Sequence, residues 1–438
     1  MRQSALDFNL SPTMAPSHLA DLAPRTLSVM MNGNADGTHA FRLFSQQDQQ
    51  LFDNDSATFE PTELSNLIGE SRNALKTAAW GCADDWDSGW PEQQRYKFHP
   101  SLPADQLNAN FTAALLRLAA RGWTTYAALA NNLGRGEDGA ERLRDLMRKP
   151  GTVQLAIRTS ANNVLPVALL YDSLLYAGGG GLKICDAFLD DLNSQRELID
   201  APCFQGDCPN RDKSNVVCPS GFWGFRHDID MPYPAPFGPE MAKTIGYSGQ
   251  PAMSIAYYDF PERGEHLERL KKLGYATSAS LVQSEVIGGF QTGKPQLVYF
   301  YCHGVVDNTI PLLKIGSDSQ SWLIATGDFK ALQIKWRDTR PLVLINGCHT
   351  AALSPDRALS FVKVLIESAQ AAGVIGTEIT IFESLAQRFA ETFLELFLGG
   401  ETLARAIRRA RLRLLAQRNP LGLVYLPFAY GGLKLASA

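Results

Sequence analysis

The sequence lacks long apolar runs, a large excess of one charge and an even set of cysteines, and each absence excludes a class of protein. Its 438 residues contain nothing like the roughly 20 uninterrupted apolar residues of a membrane-spanning helix. The opening residues have no apolar stretch long enough for a signal peptide. The net charge of -4 gives no overall attraction to nucleic acid or to anionic membranes. We therefore expect a cytoplasmic protein without a membrane span.

The cysteines are few, odd in number and unevenly spread. An odd count in a long chain without an export signal argues against a disulfide framework, so we interpret them as thiols, metal ligands or a nucleophile. Four lie between residues 185 and 218, and two lie at the ends of apolar runs. The seven are Cys82, Cys185, Cys203, Cys208, Cys218, Cys302 and Cys348.

The N-terminal quarter has a pattern of its own. A Gly/Asn/Asp cluster separates two apolar segments between residues 26 and 46, which predicts a β-hairpin. Residues 62–79 have the apolar spacing of an amphipathic helix, and an irregular stretch rich in Trp, Asp and Pro follows. The next segment is helical, with Gly122 predicted to separate two helices. We accordingly predict an accessory α/β region, a hairpin plus helices, over residues 1–110.

From about residue 250 onward, strands alternate with helices, and the strands are near-continuous apolar runs. Such runs are typical of parallel strands that are buried on both sides. The sequence therefore predicts an α/β fold with a mostly parallel sheet covered by helices on both faces. In open sheets of this kind, functional groups gather beyond the carboxyl ends of the strands.

Two of these apolar runs end on reactive side chains. The run QLVYFYCHG carries His303 and the run PLVLINGCHTA carries Cys348. If both are neighbouring parallel strands, the two residues meet at one edge, where an imidazole can take the thiol proton and create a nucleophilic thiolate. The N–H groups of Gly304 and Cys348 are then candidate donors to an oxyanion.

Two other interpretations of these residues have to be weighed. Cysteine is often simply buried, and a histidine at a strand end is often structural. Metal binding by Cys302–His303 together with Cys348–His349 is disfavoured, because adjacent residues on a strand point to opposite faces and cannot easily converge on one ion. The pair His303 and Cys348 remains the better candidate.

These motifs resemble the caspase-like (clan CD) cysteine peptidases and, more narrowly, the CHAT-domain branch found in bacteria. The resemblance covers about residues 110–438, and it departs from the family at Val167 and Ala168, where Trp-Glu is commoner. The segments that carry it are YFYCHG, PLVLINGCHTA, the stretch beginning AGVIGTEIT, and NPLGLVYLPFAYGG.

The resemblance implies a caspase-like CHAT domain over residues 111–438, with a non-catalytic half that holds a Cys-rich insertion (111–240) and a catalytic half (241–438). It implies His303 as general acid/base, Cys348 as nucleophile, an acyl-enzyme intermediate and no cofactor for catalysis. The implied protein is an endopeptidase acting on protein substrates, a latent effector that a protein partner activates in bacterial defence or signalling. A catalytically inactive scaffold or interaction module is the alternative.

Two residues are predicted to line the substrate pocket. Residues two apart on a strand share a face, so Asn346 is expected beside Cys348. Glu378 would face the pocket only where a basic substrate or an internal arginine neutralises its carboxylate. Because Asn346 carries no charge, we expect a cleavage preference that is not dominated by Arg or Lys.

The four clustered cysteines match the ligand count of a structural zinc site, although their spacing is irregular. Unligated buried thiols are the other interpretation, and His227 is a substitute ligand to consider. The ligands in question are Cys185, Cys203, Cys208 and Cys218.

The late helix of the chain is rich in arginine. Apolar residues recur at helical spacing over residues 403–414, so most of the arginines are predicted to lie on a solvated face. A docking surface for nucleic acid or an acidic partner would need interleaved aromatic residues, which this helix lacks.

Overall fold

A computed structural model describes most of the chain. The described residues are 25–34, 38–45, 57–86, 90–133, 137–157, 163–176, 181–194, 196–233, 240–307, 310–348 and 355–437. The N-terminal leader, the tip of the predicted hairpin and His349 lie outside them.

The first half of the chain builds a five-stranded sheet and the helices that pack on it. The sheet has the order β3-β2-β1-β4-β7. In chain order the elements are β1 (Arg25–Gly33), β2 (His39–Phe44), β3 (Ala57–Phe59), α1 (Pro61–Trp80), α2 (Glu92–Arg95), α3 (Ala104–Leu133), α4 (Glu137–Leu146), β4 (Thr152–Ile157), β5 (Lys183–Ile184), α5 (Asp186–Asn193), β6 (Val216–Val217), α6 (Trp223–Arg226) and β7 (Asp228–Asp230).

The predicted hairpin and first helix are confirmed. β1 and β2 pair antiparallel, and β2 alternates buried and more exposed residues, as expected for a half-buried strand. α1 begins at Pro61, whose missing N–H is harmless in a first helical turn. It ends before Gly81, whose φ of 95° lies in the left-handed region that favours glycine.

The structure contradicts the predicted helix break at Gly122, and it shows which elements span residue 110, the predicted domain boundary. That predicted boundary falls inside α3, which runs unbroken from Ala104 to Leu133 through Gly122. β1 also pairs in parallel with β4, so the N-terminal strands share one sheet with the half that follows. Gly122 does not end a helix: a Cβ there would lie 2.3 Å from the carbonyl oxygen of Leu169, so the glycine permits close packing.

The second half builds a larger sheet. In chain order the elements of this half are β8 (Thr244–Tyr247), β9 (Ala252–Tyr257), α7 (Arg263–Lys272), β10 (Ala276–Ser280), α8 (Gln283–Thr292), β11 (Leu297–Asp307), β12 (Ile310–Gly316), β13 (Ser321–Ala325), α9 (Thr326–Ala331), β14 (Leu342–Cys348), α10 (Pro355–Lys363), β15 (Gly373–Thr377), α11 (Glu383–Leu398), α12 (Leu403–Ala416), β16 (Tyr425–Ala429) and β17 (Lys434–Ser437). β8 and β17 pair with each other in a separate two-stranded sheet.

The predicted mostly parallel sheet is confirmed. Its order is β10-β9-β11-β14-β15-β16, and β12 and β13 extend it from β11. The strands from β10 to β15 along this order are parallel, and β16 runs antiparallel to β15. The apolar sequences of β11 and β14 follow from this position, because both strands are paired on each side and covered above and below.

Helices lie on both faces of this sheet. Neighbouring residues of β11 show the two sides: the hydroxyl of Tyr301 accepts a hydrogen bond from Gln387 of α11 at 2.9 Å, whereas the ring of Phe300 packs on Phe290 of α8 with 5.5 Å between centroids. Since consecutive residues of a strand point to opposite faces, α11 and α8 lie on opposite sides of the sheet.

Two arginines of α12 are buried, contrary to the predicted solvated face. The guanidinium of Arg411 is fully buried and donates to the carbonyl oxygens of Gly422, Gly224 and Tyr425 at 3.3, 3.2 and 2.5 Å. Arg408 is buried as well, since α12 packs against α6 and β7. These arginines tie the last helix to the first half of the chain.

Among the described residues, no helix is both long enough and apolar enough to cross a membrane.

Candidate active site

The carboxyl edge of the larger sheet carries His303. β11 pairs with β14 up to His303 and continues beyond it as one arm of the antiparallel pair with β12. The strand therefore does not end at the histidine, as the sequence predicted, but changes partner there. This change of partner leaves His303 at the level where the parallel part of the sheet stops.

Cys348 is the last residue of β14, and it lies directly opposite His303. The register of the two parallel strands pairs Tyr301 with Asn346, Cys302 with Gly347 and His303 with Cys348. Neighbouring strands are about 4.8 Å apart, and residues opposite one another share a face of the sheet. The two residues predicted to form a dyad are therefore neighbours at the backbone level.

Two aromatic rings hold the imidazole of His303, which is half-buried. The edge of the Tyr258 ring lies at a centroid distance of 4.4 Å and that of Phe260 at 4.8 Å. Both rings follow the end of β9, the other parallel neighbour of β11. Packing of this kind restricts the rotamers of the imidazole.

Tyr258 is itself fixed by polar groups that the sequence analysis did not single out. Its hydroxyl donates to Asp318 at 2.5 Å, and the ammonium of Lys314 lies 5.1 Å from its ring centroid. Burial, followed by the hydrogen bond to Asp318, raises the pKa of Tyr258 to about 12, so it stays protonated at neutral pH. In the sequence, Tyr258 is marked only by its place at the end of a strand, and Asp318 only by its place in the turn after β12.

The other candidate oxyanion residue, Gly304, lies within β11 opposite Leu313 of β12. It is buried in the sheet next to His303. The oxyanion role of the Gly304 and Cys348 amides stays a prediction.

Asn346 lies in the core, not on an open pocket wall. It is 0% exposed, its amide donates to the carbonyl oxygen of Ala386 at 2.6 Å and to Tyr299 at 3.2 Å, and its oxygen accepts from Tyr425 at 2.8 Å. A fully buried amide with donors and acceptor engaged stabilises the strand against α11. Strand periodicity predicted the face of the sheet on which Asn346 lies, but it did not predict that α11 covers this residue.

Glu378 follows β15 directly and is buried against the N-terminal half. Its N–H donates to the carbonyl oxygen of Val424 at 2.7 Å, and its carboxylate accepts from Nε of Arg72 in α1 at 3.3 Å. Glu378 is 2% exposed. Arg72 is thus an internal arginine that pairs with the Glu378 carboxylate, and a place for Glu378 in the substrate pocket stays a prediction.

The segment 378–384 receives further contacts from the N-terminal half. The Glu92 carboxylate accepts from the backbone N–H groups of Glu383 and Ser384 at 3.0 and 3.3 Å, and from the Ser384 hydroxyl at 2.7 Å. The ring of Tyr96 stacks on Phe382 at 4.1 Å. A carboxylate at these N–H groups satisfies the start of α11, which has no cap of its own.

The four clustered cysteines converge at a separate place. The Sγ atoms of Cys185, Cys203, Cys208 and Cys218 all lie within 4.8 Å of one another. His227 is not part of this cluster: it is buried in the core, where its Nε2 accepts from Arg226 at 3.2 Å.

The larger sheet is mostly parallel, and it brings His303 and Cys348 opposite each other at its carboxyl edge. Residues 262–425 match the CHAT domain family. The chain is also similar to a probable protease of Vitiosangium sp. (strain GDMCC 1.1324), with 37% identity over 450 residues that cover 99% of this chain and 57% of that protein. The resemblance to the CHAT-domain family that the sequence motifs indicated is thus confirmed over residues 262–425. It spans little more than half the length of that relative.

Two solved structures show weaker similarity. The complex of pro- and mature domains of Porphyromonas gingivalis RgpB aligns with 85% of this chain and 78% of its own, at 11% identity and a TM-score of 0.35. The Saccharomyces cerevisiae separase–securin complex aligns with 94% of this chain and 30% of its own, at 9% identity and a TM-score of 0.45.

Proposed function

We propose that this chain is a cysteine endopeptidase in which Cys348 and His303 act as nucleophile and general acid/base. The observation that carries the proposal is the strand register, which sets the two residues opposite each other at the carboxyl edge of a parallel sheet. The CHAT domain match and the similarity to a probable protease support the same activity.

The chemistry follows from these two groups. The imidazole of His303 takes the thiol proton of Cys348, and the thiolate attacks the carbonyl carbon of the scissile peptide bond. The resulting oxyanion is stabilised by N–H donors, for which the amides of Gly304 and Cys348 are the candidates. His303 then gives its proton to the leaving amine, which releases the first product and leaves a thioester. Water, deprotonated by His303, hydrolyses this acyl-enzyme and frees Cys348.

Tyr258 and Phe260 position the imidazole for these proton transfers. Their edges restrict the ring, and the bond from Tyr258 to Asp318 fixes the tyrosine in turn. They are positioning residues, because they act on the substrate only through His303.

The substrate is proposed to be a protein whose residue before the scissile bond is not mainly Arg or Lys. Glu378 is the acidic residue that the sequence indicated for selecting a basic side chain, and it follows the strand that pairs with β14. Its carboxylate is already paired with Arg72. Because Arg72 already offsets the charge of this carboxylate, its attraction for a second cation is weaker.

The effector role is what the CHAT domain match suggests, and its activation by a protein partner is proposed from the contacts of the segment 378–384. This segment follows β15 beside the candidate site, and it is held by Arg72, Glu92 and Tyr96 of the N-terminal half. A partner that binds the N-terminal half can reach the site through these contacts. Bacterial defence or signalling is the setting that the CHAT domain suggests.

The direct test is incubation of the purified chain with a proteome-derived peptide library, followed by mapping of new peptide termini by mass spectrometry. We expect cleavage by the unaltered chain, loss of cleavage in Cys348→Ala, and a rate reduced by about 100-fold or more in His303→Ala. Cys82→Ala, which removes a thiol far from the strand edge in sequence, is the matched control and should cleave normally.

Equal cleavage by the Cys348→Ala variant would contradict the proposal. If the unaltered chain cleaves nothing, alone or with lysate of its source cells, the scaffold alternative is favoured instead.

A further inference from the structure

We propose that Cys185, Cys203, Cys208 and Cys218 bind one structural zinc ion. The four residues are buried, and all four Sγ atoms lie within 4.8 Å of one another. They come from separate parts of the chain: the residue before α5, a short helix at Pro202–Gln205, the turn after it, and the residue after β6. Neither His303 nor Cys348 belongs to this cluster.

The spacing of the sulfur atoms fits one tetrahedral ion. Zinc–sulfur bonds of about 2.3 Å in a tetrahedron require sulfur atoms about 3.8 Å apart. The Sγ atoms of Cys185 and Cys208 are 3.8 Å apart. A disulfide would need about 2.0 Å. Simple apolar packing of thiols does not require four sulfur atoms to converge on one point.

The groups around the sulfur atoms suit thiolate ligands. The amide of Asn210 donates to Sγ of Cys185 at 3.2 Å, and the hydroxyl of Ser220 lies 3.1 Å from Sγ of Cys218. The backbone N–H of Cys218 donates to the hydroxyl of Tyr171 at 3.1 Å, which fixes that residue. Partners of this kind orient the ligands of a metal and are typical of built sites.

The charge around the cluster also fits. Four thiolates and one Zn²⁺ carry two net negative charges. The Nζ of Lys213 donates to the side-chain oxygen of Asn210 at 2.8 Å, and the side-chain N–H of the same Asn210 donates to Sγ of Cys185. This arrangement polarises the amide N–H toward the sulfur.

The chain in this region has little regular structure to hold it. Between α5 and α6 it consists of short 3₁₀ helices at Leu198–Asp200, Pro202–Gln205 and Pro219–Gly221, and of the two-residue strand β6. A metal bound at four separated points would order this segment, because the free energy of metal binding adds to that of folding.

The test uses the full chain purified without chelators. Native mass spectrometry and elemental analysis should find about one zinc per chain, and Cys208→Ser or Cys218→Ser should lose most of it. Cys82→Ser is the matched control, since Cys82 lies outside the cluster, and it should keep the metal. In the unaltered chain, removal of the metal with a chelator should lower the thermal unfolding midpoint, and added zinc should restore it.

The chelator experiment keeps the test decisive even if a serine variant does not fold. A chain that is free of metal when purified, takes up none on addition of zinc, and unfolds at the same temperature with chelator would overturn the proposal. A single iron in place of zinc would overturn the assignment of the metal.

Discussion

At the scale of single residues, the candidate site depends on groups that restrict a histidine. His303 lies between the edges of Tyr258 and Phe260, and Tyr258 is bonded to Asp318. The side-chain amide of Asn346 donates a hydrogen bond to the carbonyl oxygen of Ala386, and this bond holds β14 on α11. Catalytic groups require such support, because small displacements of the reacting atoms reduce the rate sharply.

Glu383 supplies a prediction about pH. Burial, followed by repulsion from Glu92 and Glu262, raises the pKa of Glu383 from 4.5 to about 8. The folded chain therefore binds more protons than the unfolded chain between about pH 4.5 and 8, and the free energy of unfolding falls as the pH rises through this window. Above about pH 8 the Glu383 carboxylate is charged, and its full destabilising contribution to the free energy of unfolding is present.

We expect Glu383→Gln to raise the thermal unfolding midpoint at pH 9 by a few degrees, and to leave it nearly unchanged at pH 4.5. Glu63→Gln, in the exposed first turn of α1, should have no such pH-dependent effect. A shift of the same size at both pH values would show that Glu383 does not titrate in this way.

Residue types and strand periodicity predicted where His303 and Cys348 lie, but not what surrounds them. The period of two placed Asn346 on the same face as Cys348, and the structure covers that face with α11. Arg411 was assigned to a solvated face by helical spacing, and it is buried with three carbonyl partners. Periodicity identifies a face, whereas the partner of that face depends on contacts distant in sequence.

At the scale of elements, α1 is joined to the end of β15. The ion pair of Arg72 with Glu378 bridges 306 positions of the sequence, and both side chains are largely buried. Removing one partner of a buried pair leaves the other charge uncompensated. α1 therefore supplies the cation that compensates the Glu378 carboxylate.

We expect Arg72→Ala to shift the cleavage preference toward substrates with Arg or Lys before the scissile bond. Without Arg72, the Glu378 carboxylate would attract a cationic substrate side chain more strongly. Profiling on the peptide library measures this preference. Arg121→Ala is the matched control: it removes an arginine that pairs with Glu70 on the outer side of α1, and it should leave the profile unchanged.

Two outcomes would contradict this account of specificity. One is a strong preference for Arg or Lys in the unaltered chain that disappears in Glu378→Gln. The other is an unchanged profile in a folded Arg72→Ala variant.

The amino-acid pattern predicted whether a segment is a helix or a strand better than it predicted where that helix or strand ends. The apolar runs of β11 and β14 predicted parallel strands, and the structure confirms them. β11 nevertheless continues four residues past His303, from Gly304 to Asp307, because it changes partner to β12. α3 continues through Gly122 because tertiary packing against Leu169 requires a residue without a side chain there. Local signals do not distinguish a glycine that ends a helix from one that permits contact.

At the scale of the whole molecule, the described residues form two large sheets and two small two-stranded ones. The predicted boundary at residue 110 is not visible, because β1 pairs with β4 and α3 crosses that point. Side-chain hydrogen bonds connect the two halves. Buried Arg411 donates to the carbonyl oxygen of Gly224, and the Glu92 carboxylate accepts from the backbone N–H of Glu383 at the start of α11. Pairing between distant strands has no local signature in the sequence, so the division of the chain at residue 110 stays a prediction.

The central claim is that His303 activates Cys348, and alkylation of the full chain by iodoacetamide at pH 7 tests it without a substrate or an activating partner. Peptide mapping by mass spectrometry follows Cys348 and, in the same molecule, Cys82. We expect Cys348 to react at least roughly tenfold faster in the unaltered chain than in His303→Ala, because an adjacent imidazole favours the thiolate. Cys82 should react at the same rate in both. Equal rates for Cys348 in the two chains would contradict the dyad and the peptidase mechanism built on it.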